Sequence, residues 1–147
     1  MFSGITSLGI ANGRSPFAGS MLYTLRLPCN IRQMLYALRD TTLNMEVLEF
    51  PTSLVDIVEL GPKGYIGKIV INSVPTRFVP NYSSASSISG RSKQTYVINA
   101  ASVIPISGAN TDKNEYYVPD DLLDAYKAAT NWSNITTHIH PMSDLPD

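Results

Sequence analysis

The sequence predicts an α+β fold, in which a mostly antiparallel sheet of about five to seven strands carries two short helices. Short runs rich in Val, Ile and Tyr recur along the chain between Gly, Pro and Asn residues, a pattern typical of strands joined by turns. Two other segments place apolar residues at helical spacing. Hydrophobic residues make up 44% of the 147 positions, which is enough for one globular domain without cross-links.

The first predicted helix is 31–39. Asn30 is a suitable N-cap, and Gln33 stands at the third helical position, where a capping-box partner belongs. One face carries an apolar stripe formed by Ile31, Met34, Leu35 and Leu38. The second predicted helix lies near 120–129 and begins after Pro119, a residue favoured at helix starts.

The strands are predicted from alternating or β-branched segments at 21–27, 43–50, 54–60, 65–74, 95–106, 115–118 and 135–139. A Gly-Pro-Lys-Gly turn at 61–64 separates two of these segments and predicts a hairpin between them. We find no internal repeat.

The domain organisation is predicted as an extended N-terminal arm, 1–20, followed by a single globular domain, 21–147. The arm is rich in Gly and Ser, and its apolar residues follow no period. Within the domain, 79–93 has six serines between positions 83 and 92 and few apolar residues. It is therefore predicted to be a long, exposed loop.

Charge is sorted into four blocks, although the formal net charge is only −1. The blocks 1–39, 40–59, 60–111 and 112–147 carry +4, −5, +5 and −5. Opposite charges of similar size suit a subunit that pairs with itself or with a neighbour. The alternative is that the blocks pair with one another inside one fold.

Composition also limits the compartment and the partners. The single cysteine, Cys29, excludes an internal disulfide. The first residues lack the basic region of a secretory signal, and no apolar run approaches the ~18 residues of a spanning helix. Near-neutral charge argues against a general nucleic-acid binder. We expect synthesis in the cytoplasm.

His138 and His140 are separated by one residue, so in a strand both would face the same side, a spacing that suits metal ligands. A metal site also needs a third ligand, and Asp144 is only a loosely placed candidate. We therefore favour surface or interface histidines. Cys29 precedes the first predicted helix, whose dipole would favour a reactive thiolate, but no nucleophile motif surrounds it.

Three further segments resemble functional motifs without matching them. The glycine-rich run 61–68 has the wrong spacing for a phosphate loop and lacks a hydroxyl residue after Lys68. Asp120 and Asp121 lie in the first turn of the second predicted helix, where the helix dipole accounts for them. Ser89–Lys93 resembles a solvated loop more than an anion site. The sequence assigns no catalytic, cofactor-binding or metal-binding residue.

These features favour a non-enzymatic structural subunit of a larger assembly, such as a small virion protein: a capsid decoration, a connector, or a tail or baseplate component. The expected partners are copies of itself or other structural subunits, with no specific nucleic acid, membrane, small-molecule substrate or cofactor. The expected location is the virion, after synthesis in the host cytoplasm, and the alternative is cytoplasmic. Two other functions stay open: a cellular protein- or peptide-binding module and, less favoured, a small enzyme that depends on Cys29 or a metal.

Overall fold

The structure, a computed structural model, describes residues 6–9, 16–38, 41–58, 63–80 and 93–146. Ten strands occur in this part of the chain: β1 (Ser7–Gly9), β2 (Met21–Leu22), β3 (Gln33–Leu35), β4 (Thr42–Phe50), β5 (Asp56–Val58), β6 (Lys63–Ile71), β7 (Arg77–Val79), β8 (Thr95–Ile98), β9 (Glu115–Val118) and β10 (Ile139–Pro141). One α-helix, α1, spans Leu123–Ala128. Short 3₁₀ segments cover Thr111–Lys113, Asp120–Leu122, Trp132–His138 and Met142–Asp144.

The strands form two sheets in which every pairing is parallel. The four-stranded sheet has the order β1-β3-β5-β7, and the six-stranded sheet has the order β10-β9-β8-β6-β4-β2. From β1 to β8 the chain alternates between the two sheets, so that each coil stacks on the one before it. This path is that of a β-solenoid, in which each repeat contacts its neighbours.

The prediction of a mostly antiparallel sheet is therefore wrong, and so is the predicted hairpin. β5 and β6 flank the proposed turn, yet they belong to different sheets: β5 pairs with β3 and β7, whereas β6 pairs with β4 and β8. Alternating hydrophobicity reports a strand with one buried face, but it does not report the direction of the neighbouring strand.

Buried side chains stack in columns that run from coil to coil. In the six-stranded sheet one column is Leu48, Ile69, Tyr96, Tyr116 and Ile139. In the four-stranded sheet the matching column is Leu8, Met34, Ile57 and Phe78. All nine side chains are at most 7% exposed, so these two columns form the centre of the core.

The long strands β4 and β6 share a break in their alternation. Met45 and Leu48 are both buried, although two exposed residues separate them, and the pairing ladder omits Glu46 and Gly67. A Cβ atom on Gly67 would lie 2.4 Å from the backbone oxygen of Glu46. The two backbones thus approach so closely at this break in the ladder that only glycine fits.

The predicted helix at 31–39 is also wrong, because the structure places strand β3 there. Met34 pairs with Leu8 on one side and with Ile57 on the other. Tyr36 follows with a φ of 55°, in the left-handed region, where the coil turns away. A coil that turns sharply brings Ile31, Met34 and Leu38 to the interior at spacings of three and four, which imitates a helical stripe.

The other predicted elements have mixed outcomes. Strands occur at 42–50, 56–58, 63–71 and 115–118 close to their predicted positions, whereas only parts of 21–27 and 95–106 are strands. The predicted strand 135–139 is mostly a 3₁₀ segment. The second predicted helix is present as a 3₁₀ turn followed by α1. Most of the 79–93 loop and half of the 1–20 arm lie outside the described residues.

Residues 119–132, which we call the α1 region, lie over the end of the four-stranded sheet. Beyond β7, Ser107 N–H donates to the carbonyl of Phe78 at 3.0 Å. Trp132 Nε1–H then donates to the carbonyl of Ile104 at 2.7 Å, and Asn131 donates to the carbonyl of Ile106 at 2.8 Å. The α1 region thereby satisfies backbone groups that would otherwise end the stack unpaired.

Candidate functional site

The two histidines singled out in the sequence lie on the outer side of the six-stranded sheet and contact one carboxylate. His138 ends a 3₁₀ segment and His140 lies in β10, next to β9. His138 Nδ1 is 3.1 Å from Glu115 Oε1, and His140 Nε2 is 2.7 Å from Glu115 Oε2. The ring of His140 also packs on Tyr117, its ladder partner, with 5.0 Å between centroids.

Lys93 completes this cluster, with its Nζ 2.8 Å from Glu115 Oε1. Burial of Glu115 opposes its charged form, but hydrogen bonds from Lys93, His140 and His138 outweigh burial and lower the pKa of the carboxyl group to about 2. The side chain of Glu115 is 18% exposed, whereas that of Lys93 is 60% exposed. Glu115 is therefore a fixed negative charge with three donors around it.

Glu115, His138, His140 and Lys93 form a hydrogen-bonded cluster, which we call the clasp. A histidine that donates one ring N–H to a carboxylate is oriented as metal-ligating histidines are. Among residues that the structure describes, however, no three His, Cys, Asp or Glu side chains are placed to hold a metal ion. Asp144 is exposed on its 3₁₀ turn and makes no hydrogen bond or ion pair to a described residue. Glu115 instead ties β9 to His138, just before β10, and to His140, in the middle of β10.

The structure removes the argument for a reactive Cys29. The thiol is free and exposed. The helix whose dipole was to activate it does not exist, because β3 lies at that position. A catalytic cysteine also needs a base, and both histidines of the chain are hydrogen-bonded to Glu115.

The remaining sequence candidates have structural positions of their own. Lys63 and Lys68 both belong to β6, while Gly61 and Pro62 lie outside the described residues. Of the segment Ser89–Lys93, only Lys93 is described, and it pairs with Glu115. Asp120 accepts a hydrogen bond from Ser143 N–H at 3.0 Å, and hydrogen bonds from Ser143 lower the pKa of this carboxyl group.

A surface that the sequence analysis missed lies around β4. Among the described residues, five large hydrophobic side chains are exposed, and four of them lie in or next to strands β2, β4 and β6 of the six-stranded sheet. We call these four the apolar patch: Met21, Tyr23, Val47 and Tyr65. Tyr23 Oη lies 3.1 Å from Met21 Sδ, so these two side chains touch. No sequence pattern marks this patch, because its members meet only through the register of β2, β4 and β6.

Two adjoining clefts border the apolar patch. The larger, of about 680 Å³, lies between the segment 23–27 and the residues 45–52 and includes Tyr23 and Val47 in its lining. The smaller, of about 340 Å³, is lined by Val47, Tyr65 and the C-terminal residues Leu145 and Pro146, among others. Val47 lines both clefts, so they lie side by side on the outer face of the sheet.

Charges of both signs line these two clefts. Arg26 and Glu49 line the larger cleft, and Glu46 and Lys68 line the smaller one. Tyr65 donates to Glu46 Oε2 at 2.9 Å, and this hydrogen bond to a carboxylate raises the pKa of the Tyr65 phenol. The arrangement can therefore accept apolar and charged groups together, as protein surfaces that bind other proteins do.

The opposite charge blocks also meet inside the chain. Arg77 makes a two-bonded ion pair with Asp56 at 2.7 and 2.8 Å, across the ladder between β5 and β7. Lys93 and Glu115 form a second ion pair between opposite charge blocks. Part of the charge sorting is thus satisfied within one subunit.

Comparison with protein-family models, with curated proteins and with solved structures finds no match to this chain. Among the described residues, no helix is long and apolar enough to cross a membrane.

Proposed function

We propose that this chain is a non-enzymatic structural subunit of a larger assembly, of the kind that virions contain. The observation that carries the proposal is the apolar patch on the outer face of a stacked parallel sheet. Clustered apolar side chains that remain exposed on a monomer mark surfaces that associate with other proteins. The columns of buried side chains beneath the patch hold it in a fixed shape, which suits repeated contacts.

Composition supports the virion setting. Charged residues are only 16% of the chain, so much of its exterior is neutral and polar or apolar, as in a subunit whose surface is covered by neighbours. The expected partners are copies of this chain and other structural subunits. Their location would be the virion.

Light scattering and negative-stain microscopy of the purified full chain test this function. Scattering mass should rise with protein concentration, and micrographs should show rings, tubes or shells of uniform size. A matched pair of variants controls the result: Val47→Ser lies in the apolar patch, whereas Val74→Ser removes a valine of similar exposure outside it. Only Val47→Ser should reduce assembly. A monomer at every concentration up to the solubility limit would contradict the proposal.

A second function, recognition of an extended peptide, is favoured by one specific observation. β2 pairs with β4 only at Thr42 and Leu43, and no described residue pairs with the same side of β4 farther along. The larger cleft lies beside this open edge. An exposed strand edge beside an apolar cleft can accept an added strand. Binding of extended peptides by a monomer that forms no larger particle would favour this function.

A further inference from the structure

The apolar patch has the composition of a protein–protein interface. Its aromatic members, Tyr23 and Tyr65, are 62% and 52% exposed and present large rings of the kind enriched at interfaces. Val47, which is 45% exposed, lies between them as a member of both clefts. The exposed rings of Tyr23 and Tyr65 and the two clefts therefore lie on one surface. Such a surface can pack against an identical one if the rings of each copy enter the clefts of the other.

The charges beside the patch are complementary to each other. Arg26 and Glu49 are exposed, line the same cleft and are not paired with one another. Arg26 makes no ion pair or hydrogen bond to any described residue, and the carboxylate of Glu49 accepts a hydrogen bond from Asn72 alone among them. A two-fold axis that passes between these two residues would bring residue 26 of one copy to residue 49 of the other and repeat the contact in reverse.

We propose that the apolar patch and its flanking charges form a two-fold contact between two copies of this chain, with Arg26 of each copy facing Glu49 of the other. The apolar side chains leave water at the centre, and the two reciprocal ion pairs fix the orientation at the rim. This inference adds one specific contact to the proposed structural role, and the biological setting of that contact rests on the proposed role. The contact itself needs only two copies.

Charge reversal followed by mixing tests the contact directly in sedimentation equilibrium experiments on the full chain. Arg26→Glu places acids against acids in a homodimer, and Glu49→Arg places bases against bases. Each single variant should dimerise about tenfold more weakly than the wild type, or worse. An equal mixture of the two variants should recover dimers, because both reciprocal pairs become attractive. The double variant should recover homodimers for the same reason.

Matched controls separate this contact from a general effect of charge. Lys113→Glu and Asp112→Arg reverse exposed charges outside the patch and should leave dimerisation unchanged. A wild-type chain that stays monomeric would overturn the inference. Single reversals without effect, or a mixture that stays monomeric, would also overturn it.

The outcomes distinguish this inference from the proposed function. Dimers that obey the mixing rule but never form larger particles would support the two-fold contact and contradict the structural role. Particles that persist in both single variants would support the structural role and overturn the contact. Binding of an extended peptide at β4 by a monomer would overturn the contact and favour the recognition module.

Discussion

Truncation of two neighbouring residues distinguishes strand β3 from the helix that the sequence predicts at 31–39. Met34 is 0% exposed and stacks between Leu8 and Ile57, whereas Leu35 is half-buried. Met34→Ala removes a fully buried side chain and leaves a cavity, so it should lower the free energy of unfolding by about 2–5 kcal/mol. Leu35→Ala removes a side chain that is partly in water, and its cost should be about 1 kcal/mol.

Urea denaturation, followed by circular dichroism and by the fluorescence of Trp132, measures both losses. The denaturant dependence of the free energy should be unchanged, so that the shift in midpoint reports stability alone. Val74→Ala, at an exposed site, should change stability by less than about 0.5 kcal/mol. Equal, large losses for Met34→Ala and Leu35→Ala would refute the strand, because both residues belong to one stripe of the predicted helix.

Three further predictions concern Glu115, Trp132 and Gly67. The folded-state pKa of Glu115 is about 2, below its usual 4.5, so its charge should stabilise the fold by about 1–2 kcal/mol above pH 4.5, and this contribution should disappear as the pH falls towards 2. Glu115→Gln should therefore differ in melting temperature from the wild type at pH 7 but not near pH 2. Trp132→Phe leaves the carbonyl of Ile104 without its donor and should cost about 1–3 kcal/mol in urea denaturation, with intact far-ultraviolet dichroism. Gly67→Ala forces a Cβ against the Glu46 backbone oxygen and should cost about 1–3 kcal/mol by the same assay, whereas an unchanged midpoint would contradict the close approach.

Some elements could be predicted because their signals are local. β4 alternates over most of its length, and β9 places Tyr116 and Val118 inward at a period of two. Pro119 and the acids after it likewise marked the start of the α1 region. In each case a few adjacent residues carried the information.

The solenoid itself could not be predicted from such signals, because its coils differ in length. Tyr96 lies 27 residues after its partner Ile69 in one coil and 20 residues before its partner Tyr116 in the next, so no fixed sequence period exists. The direction of pairing is equally invisible, since parallel and antiparallel strands share the same alternation. Residues 31–39 then imitated a helix because a turning coil buries residues three and four apart.

The candidate sites depend on register for the same reason. Glu115 lies far from His138 in sequence, and only the pairing of β9 with β10 brings the two together. Val47 and Tyr65 likewise line one cleft only because β4 pairs with β6. The pair of histidines was visible in the sequence, but the carboxylate between them was not.

The parallel register is the claim on which the fold, the clasp and the apolar patch all depend. Backbone nuclear Overhauser effects in isotope-labelled protein test it most directly, because they connect residues on paired strands. The account predicts cross-strand contacts between Leu48 and Ile69 and between Ile57 and Phe78. Contacts between the segments 54–60 and 65–74 in antiparallel order, with none between β4 and β6, would contradict it.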